Sequence, residues 1–137
     1  MNELLARFSE QMRETGTLPD MQQELAQERL SLPPQEATAL LGIAAASGAE
    51  DAPEKVLWLL RLGARATDAV MHSWAQAWQG YATLTTPEPE TMAEGYKLLQ
   101  VLEELVCAGG VPPALPLPIE PEWRERYLGI LERPPRA

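Results

Sequence analysis

The sequence has few of the side chains on which catalysis and metal binding depend. Its 137 residues include one histidine, His72, and one cysteine, Cys107. A nucleophilic pair needs these groups within hydrogen-bond reach and a third group to orient the base, and nothing in the sequence indicates either. One cysteine cannot form a disulfide within the chain, and zinc-ligand spacing is missing. We therefore expect no enzymatic activity, no cofactor and no metal ion.

An enzyme is the alternative, and either of two structural findings would favour it. The sequence contains 20 Asp and Glu residues, and any two of them can meet in a cleft without a sequence signature. A deep pocket with two convergent carboxylates, or a contact between His72 and Cys107, would indicate catalysis.

Long apolar runs are also missing. No stretch approaches the roughly 20 apolar residues that cross a bilayer. The first residues, MNELLARFSEQ, have neither the basic start nor the apolar core of a secretory signal. We expect a cytoplasmic protein that does not enter a membrane, and secretion by a route without a cleaved signal stays open.

The charge is strongly one-sided. The formal net charge is −9, which disfavours nucleic acid and anionic lipid surfaces and favours basic protein partners. Between positions 69 and 121 the basic residue is Lys97 alone, against six glutamates. We assign partner contact to the helix predicted over 87–108, at Glu88, Glu90, Glu94, Gln100 and Glu104. The alternative is that these side chains serve solubility only.

Composition and periodicity predict an all-α fold. Leucine and alanine dominate, β-branched residues are few, and most of the 13 prolines lie between helical runs. Apolar residues recur at helical spacing in six or seven segments. We expect a single domain over 1–137 in which these helices form antiparallel hairpins.

Two helices predicted within residues 39–66 organise the chain. Gly48 is a plausible end for the first helix, because glycine adopts left-handed backbone geometry without a steric penalty. Asp51 and Glu54 have the spacing of a capping box at the start of the second helix, and Gly63 ends it. A small, apolar helix followed by a second helix buried on two sides is typical of the middle of a helical stack.

This stretch resembles an ankyrin repeat. The resemblance lies in Ala44-Ala45 followed by Gly48, and in the later pattern Val56, Leu59-Leu60, Gly63-Ala64. Residues 98–110 partly repeat the second half of the pattern. The chain departs from the family at Leu40 and Gly42, where ankyrin repeats have proline and histidine, and Gly63 and Gly109 are 46 positions apart instead of about 33. The resemblance covers about one and a half repeats and implies protein recognition. An irregular bundle of helical hairpins is the alternative.

Two further segments have clear patterns. Trp74, Trp78 and Tyr81 share one arc of a helix predicted to start at Thr67 or Asp68, and we interpret this arc as core. Residues 111–121, VPPALPLPIEP, contain five prolines and predict an extended strap. Its alternating apolar residues, Leu115, Leu117 and Ile119, are expected to place one side of the strap on the helices.

Together these features predict a small acidic module that binds a protein. The first hypothesis is an inhibitor or immunity-type protein that neutralises a basic toxin or effector. The second is a secretion chaperone or adaptor, which would hold an extended effector segment in a long apolar groove. The sequence does not indicate the oligomeric state.

Overall fold

The computed structural model describes residues 3–15, 18–27 and 32–132, and this part of the chain forms seven α-helices without a strand. This confirms the prediction of an all-α fold with six or seven helices. The helices are α1 (Glu3–Arg13), α2 (Leu18–Gln27), α3 (Pro34–Ala46), α4 (Ala52–Arg61), α5 (Asp68–Ala82), α6 (Pro89–Cys107) and α7 (Pro121–Leu131).

Helix α3 is the centre of the packing. It contacts α1, α4, α5 and α6, and its buried residues include two leucines and three alanines: Ala37, Leu40, Leu41, Ala44 and Ala45. Alanine adds little volume, so neighbouring helices can approach closely on several sides. The two remaining helices pack on neighbours of α3, since α7 lies against α6 and α2 against α1.

Glycine ends two of the central helices in the same way. Gly63 and Gly109 have backbone φ angles of +105° and +96°, a conformation that favours glycine. After Gly109, the amide of Gly110 donates to the carbonyl of Leu105 at 2.9 Å. After Gly63, the amide of Ala64 donates to the carbonyl of Leu59 at 3.0 Å. Both ends are Schellman motifs, which satisfy the last carbonyls of each helix.

One predicted capping bond and one predicted helix start are wrong. Asp51 precedes α4, but its side chain makes no capping hydrogen bond; its carboxylate lies 3.2 Å from the Lys55 ammonium instead. Helix α6 begins at Pro89 after Glu88, two residues later than a cap at Thr86 would place it. Pro87 and Pro89 both suit a first helical position, so the sequence left two choices. The predicted start at Thr67 is confirmed, because its hydroxyl accepts from the amide of Val70.

The strap over residues 111–118 contains no helix or strand, and the side of it that faces the helices differs from the predicted one. Pro118 is buried and Leu115 packs against the core. Leu117 and Ile119 are about half exposed, at 47% and 48%, so the predicted alternation is wrong for them. A polyproline helix has three residues per turn, and positions three apart therefore share a face.

Aromatic side chains join α5 to α7. Trp74 and Trp78 of α5 are fully buried and stack at 5.7 Å between ring centroids. From α7, Trp123 meets Trp78 edge-on at 5.6 Å, and Tyr127 stacks on Trp78 at 6.4 Å. The prediction that this arc of α5 belongs to the core is confirmed for both tryptophans, while Tyr81 is partly buried.

Gly95 makes room for one of these rings. A Cβ atom at this position of α6 would lie 2.3 Å from Cζ2 of Trp123 and 2.4 Å from Cε2. Real atoms do not approach so closely, so the indole lies directly on the glycine backbone. The indole Nε1 of Trp74 also donates to the carbonyl of Leu98 at 2.8 Å. These contacts fix α6 between α5 and α7.

Candidate partner-binding site

The five residues assigned to partner contact fall into two groups on α6. Glu90 and Glu104 are 14 positions apart, which corresponds to about 21 Å along a helix. Glu88, Glu90 and Glu94 lie at the start of α6 and are exposed. Gln100 is exposed and Glu104 partly buried, in the second half. The five side chains therefore do not form one site.

The first group includes a residue with a structural contact. The hydroxyl of Tyr81 on α5 donates to a carboxylate oxygen of Glu94 at 2.9 Å. Burial, followed by this hydrogen bond, raises the pKa of Tyr81. Glu94 thus holds α5 against the start of α6 and is less available to a partner than Glu88 and Glu90.

The second group borders a hollow between α4 and α6. Its volume is about 320 Å³. The lining residues come from α4, α6 and α7: Pro53, Glu54, Leu57, Gln100, Glu103, Glu104 and Arg126. Gln100 and Glu104 were predicted as contact residues, whereas Glu54 and Glu103 were missed. The adjacent glutamates at 103 and 104 suggested solvated charges, because neighbouring positions on a helix point in different directions.

A second hollow of about 220 Å³ adjoins the first. The two share Leu57 and Glu104 as lining residues. The second is lined mostly by apolar groups: Leu57, Leu60, Arg61, Glu104, Cys107 and Ala108. We name the two together the α4/α6 groove. It offers carboxylates at one end and leucine side chains at the other.

The acidic end keeps a negative charge. Three carboxylates line it, those of Glu54, Glu103 and Glu104, against the single guanidinium of Arg126. Arg126 Nη2 is 3.8 Å from Glu103 Oε2, and both side chains are partly exposed. Exposed pairs of this kind contribute about 0–1 kcal/mol. Arg126 also lies over the ring of Tyr96, 5.9 Å from its centroid, and it balances only one of the three negative charges.

The two candidate catalytic side chains border different hollows. His72 is exposed, contacts Gln76 at 3.3 Å, and borders a hollow beside the strap at Val111. Cys107 is 8% exposed and borders the α4/α6 groove. Such burial is typical of a thiol that packs as a small apolar side chain.

Two general findings concern the described residues as a whole, and a third concerns the comparison of the chain with known proteins. Within residues 3–15, 18–27 and 32–132, no three His, Cys, Asp or Glu side chains are grouped so that they could hold a metal ion. Over the same ranges, no helix has both the length and the apolar character needed to cross a membrane. No protein-family model, no curated protein and no solved structure matches the chain.

Proposed function

We propose that this protein is a binding module that captures a basic protein through the α4/α6 groove. In this proposal it acts as an inhibitor or immunity-type protein, and its partner is a toxin or effector with a basic functional surface. The observation that carries the proposal is the placement of three carboxylates beside an apolar hollow.

The two ends of the groove suit two neighbouring side chains of a partner. An arginine or lysine fits the acidic end, where carboxylates on α4 and α6 can accept its hydrogen bonds. An apolar side chain fits the second end, where burial of its surface adds stability. The net charge of −9 would speed the encounter with a basic protein over a long range.

The ankyrin resemblance supports the same class of function. Residues 39–66 fold as α3 and α4 with a short connection, and the turn at Gly63 recurs in form at Gly109. Ankyrin repeats generally serve protein recognition, so a descent from this family would fit a binding role. The membership itself is part of the proposal.

A second candidate is a secretion chaperone or adaptor. It is favoured by five large apolar side chains that are exposed on the strap and on α7: Val111, Leu117, Ile119, Leu128 and Leu131. A chaperone of this kind would bind extended apolar segments of its effector and commonly dimerises. Light scattering and binding to an array of apolar peptides would reveal these two properties.

Capture of partners from the native host, with two matched variants, tests the first proposal. The groove variant carries Glu103→Gln and Glu104→Gln. The control carries Glu88→Gln and Glu90→Gln, which changes the net charge equally on the same helix. We expect a stoichiometric basic protein on the wild type and the control, bound about tenfold more weakly by the groove variant, because each half-exposed ion pair contributes at most about 1 kcal/mol.

Three results would count against the proposal. Recovery of the protein without a stoichiometric partner would contradict the binding role. Equal weakening of both variants would show that overall charge matters and the groove does not. If the partner binds both variants as tightly as the wild type, and this protein also binds apolar peptides, the chaperone is favoured.

A further inference from the structure

Lys55 on α4 is in an unusual environment. Among the described residues it is the one charged side chain that is buried, with an exposure of 0%. Burial of an ammonium group is strongly unfavourable unless every N–H finds an acceptor. The surroundings of Lys55 therefore need a specific explanation.

Two backbone carbonyls accept hydrogen bonds from the ammonium, and one carboxylate lies within ion-pair distance of it. Nζ donates to the carbonyl of Gln11 at 2.9 Å and to the carbonyl of Glu14. It also lies 3.2 Å from Oδ1 of Asp51. Gln11 is in the last turn of α1 and Glu14 directly follows the helix, where the helix dipole is negative and the last carbonyls need partners. The carbonyl of Gln11 also accepts from the amide of Glu14 at 3.2 Å. Lys55 thus caps α1 from a different part of the chain.

Helices α1 and α2 form a hairpin that is attached mainly through α1. Within the hairpin, Arg7 pairs with Glu24, and α2 packs chiefly on α1. The buried side chains of the hairpin are Phe8, Met12, Met21 and Leu25. Its links to the rest of the molecule include the packing of α1 on α3, the bonds from Lys55, and the burial of these four side chains in the apolar core shared with the other helices.

We infer that the α1–α2 hairpin docks and releases as one unit, and that Lys55 is the latch that holds it. When the hairpin leaves, water replaces the carbonyl partners of the ammonium, and the same water solvates the end of α1. The hydrogen bonds of such a latch fix the geometry of the docked state. Breaking them costs little free energy, because water replaces the lost partners. Release also exposes the buried Phe8, Met12, Met21 and Leu25 to water, so the latch adds to an apolar contact that opposes opening.

Release of the hairpin would also change the hollow between α3 and α5. Arg13, the last residue of α1, lines a hollow of about 610 Å³ between α3 and α5. The rest of that lining comes from small or neutral residues of these two helices and Ser47. Docking of α1 therefore closes one side of this hollow, and its release opens that side. The inference does not depend on which partner the α4/α6 groove binds.

Hydrogen exchange of the wild-type protein under native conditions tests the inference. We expect the amides of α1 and α2 to exchange through one shared opening, with protection at least about tenfold lower than that of α5 and α6. Equal protection in all four helices, with equal dependence on denaturant, would overturn it, because the hairpin would then open only when the whole protein unfolds.

A pair of lysine variants tests the latch itself. Lys55→Met keeps much of the side-chain length and removes the donors, while Lys97→Met is the control on α6. We expect exchange in α1 and α2 to rise about tenfold or more in the first variant, with α5 and α6 unchanged, and no change in the control. A uniform rise in every helix, or no rise, would overturn the role of Lys55.

If Lys55→Met does not fold, Asp51→Asn weakens the latch and retains the carbonyl partners. A smaller selective rise in the exchange of α1 and α2 would then support the latch. An unselective rise, or none, would contradict it.

Discussion

The first and last helices are attached to the molecule by different chemistry. Helix α7 is held by large rings, since Trp123 and Tyr127 are 0% and 2% exposed and contact the tryptophans of α5. Helix α1 is held by Phe8, Met12 and the buried ammonium of Lys55. Removal of α7 would expose much aromatic surface to water, whereas removal of α1 would expose one phenylalanine ring and Met12 and would return water to the ammonium of Lys55. We therefore expect a firm block of α5, α6 and α7 and a releasable α1–α2 hairpin.

This difference bears on where binding occurs. The α4/α6 groove is lined from α4, α6 and α7, and two of these helices belong to the firm block. A binding site on rigid elements loses less conformational freedom when a partner arrives. The releasable hairpin contributes no lining residue to the groove.

Removal of a core ring from each region should show the largest difference in stability between the two regions. We expect Trp123→Ala to lower the free energy of unfolding by about 4 kcal/mol. Phe8→Ala should lower the free energy of unfolding by no more than the free energy with which the hairpin docks on the other helices. The four tryptophans, at positions 58, 74, 78 and 123, all lie outside the hairpin. Their fluorescence therefore reports on the block and on α4, which carries Trp58.

Denaturant titration followed by tryptophan fluorescence and by far-ultraviolet circular dichroism measures both effects. Phe8→Ala should leave the fluorescence midpoint almost unchanged and shift part of the helical signal to lower denaturant. Coincident transitions, displaced together by about the cost of Trp123→Ala, would show that the two regions unfold as one.

A glycine pair sharpens the description of the firm block. Gly95→Ala places a methyl group on the indole of Trp123, and we expect a loss of about 3 kcal/mol in stability from this overpacking. Gly80→Ala on α5 is the control, since nothing lies within 4 Å of its Cβ position. It should stabilise the protein by roughly 0.5–1 kcal/mol through helix propensity. Urea denaturation measures both changes in stability. If Gly95→Ala changes the stability as Gly80→Ala does, the close contact at Gly95 is disproved.

The smallest expected effect concerns a tyrosine at the junction of α6 and α7. The hydroxyl of Tyr96 donates to a carboxylate oxygen of Glu122. This hydrogen bond, followed by burial, raises the pKa of Tyr96 to about 12 from 10.0. The raised pKa means that the bond contributes fully below pH 10 and is lost as the pH rises through about 12.

Ultraviolet absorbance of the phenolate during an alkaline titration measures this pKa. Glu122→Gln should move one ionisation back toward pH 10, and Glu125→Gln, an exposed change on the same helix, should not. Identical titration curves for the wild type and Glu122→Gln would contradict the contact.

Much of the fold follows from local signals in the sequence. The helical spacing of apolar residues predicted six or seven helices, and Thr67, Gly63 and Gly109 marked ends that depend only on neighbouring backbone atoms. The start of α6 was misplaced because two prolines fit equally well. The strap was assigned the wrong buried side because the alternation of a strand was applied to a segment with polyproline periodicity.

The features that involve distant residues were not predictable. Lys55 carries a charge that suggests exposure, and only the arrival of α1, about 40 positions earlier in the chain, explains its burial. Gly95 resembles an ordinary weak point in a helix until Trp123 of α7 is seen against it. Glu54 joins Glu103 at one groove only through the packing of α4 on α6. Each case depends on contacts between separate helices.

The central functional claim is that a basic partner occupies the α4/α6 groove, and Cys107 gives a direct measurement of it. This thiol is the only cysteine of the chain and borders the apolar end of the groove. Its rate of alkylation can be compared with and without the captured partner at saturation. We expect the bound partner to slow the reaction at least about tenfold, as exclusion of the reagent from the groove requires. An unchanged or faster rate with the partner fully bound would contradict the account.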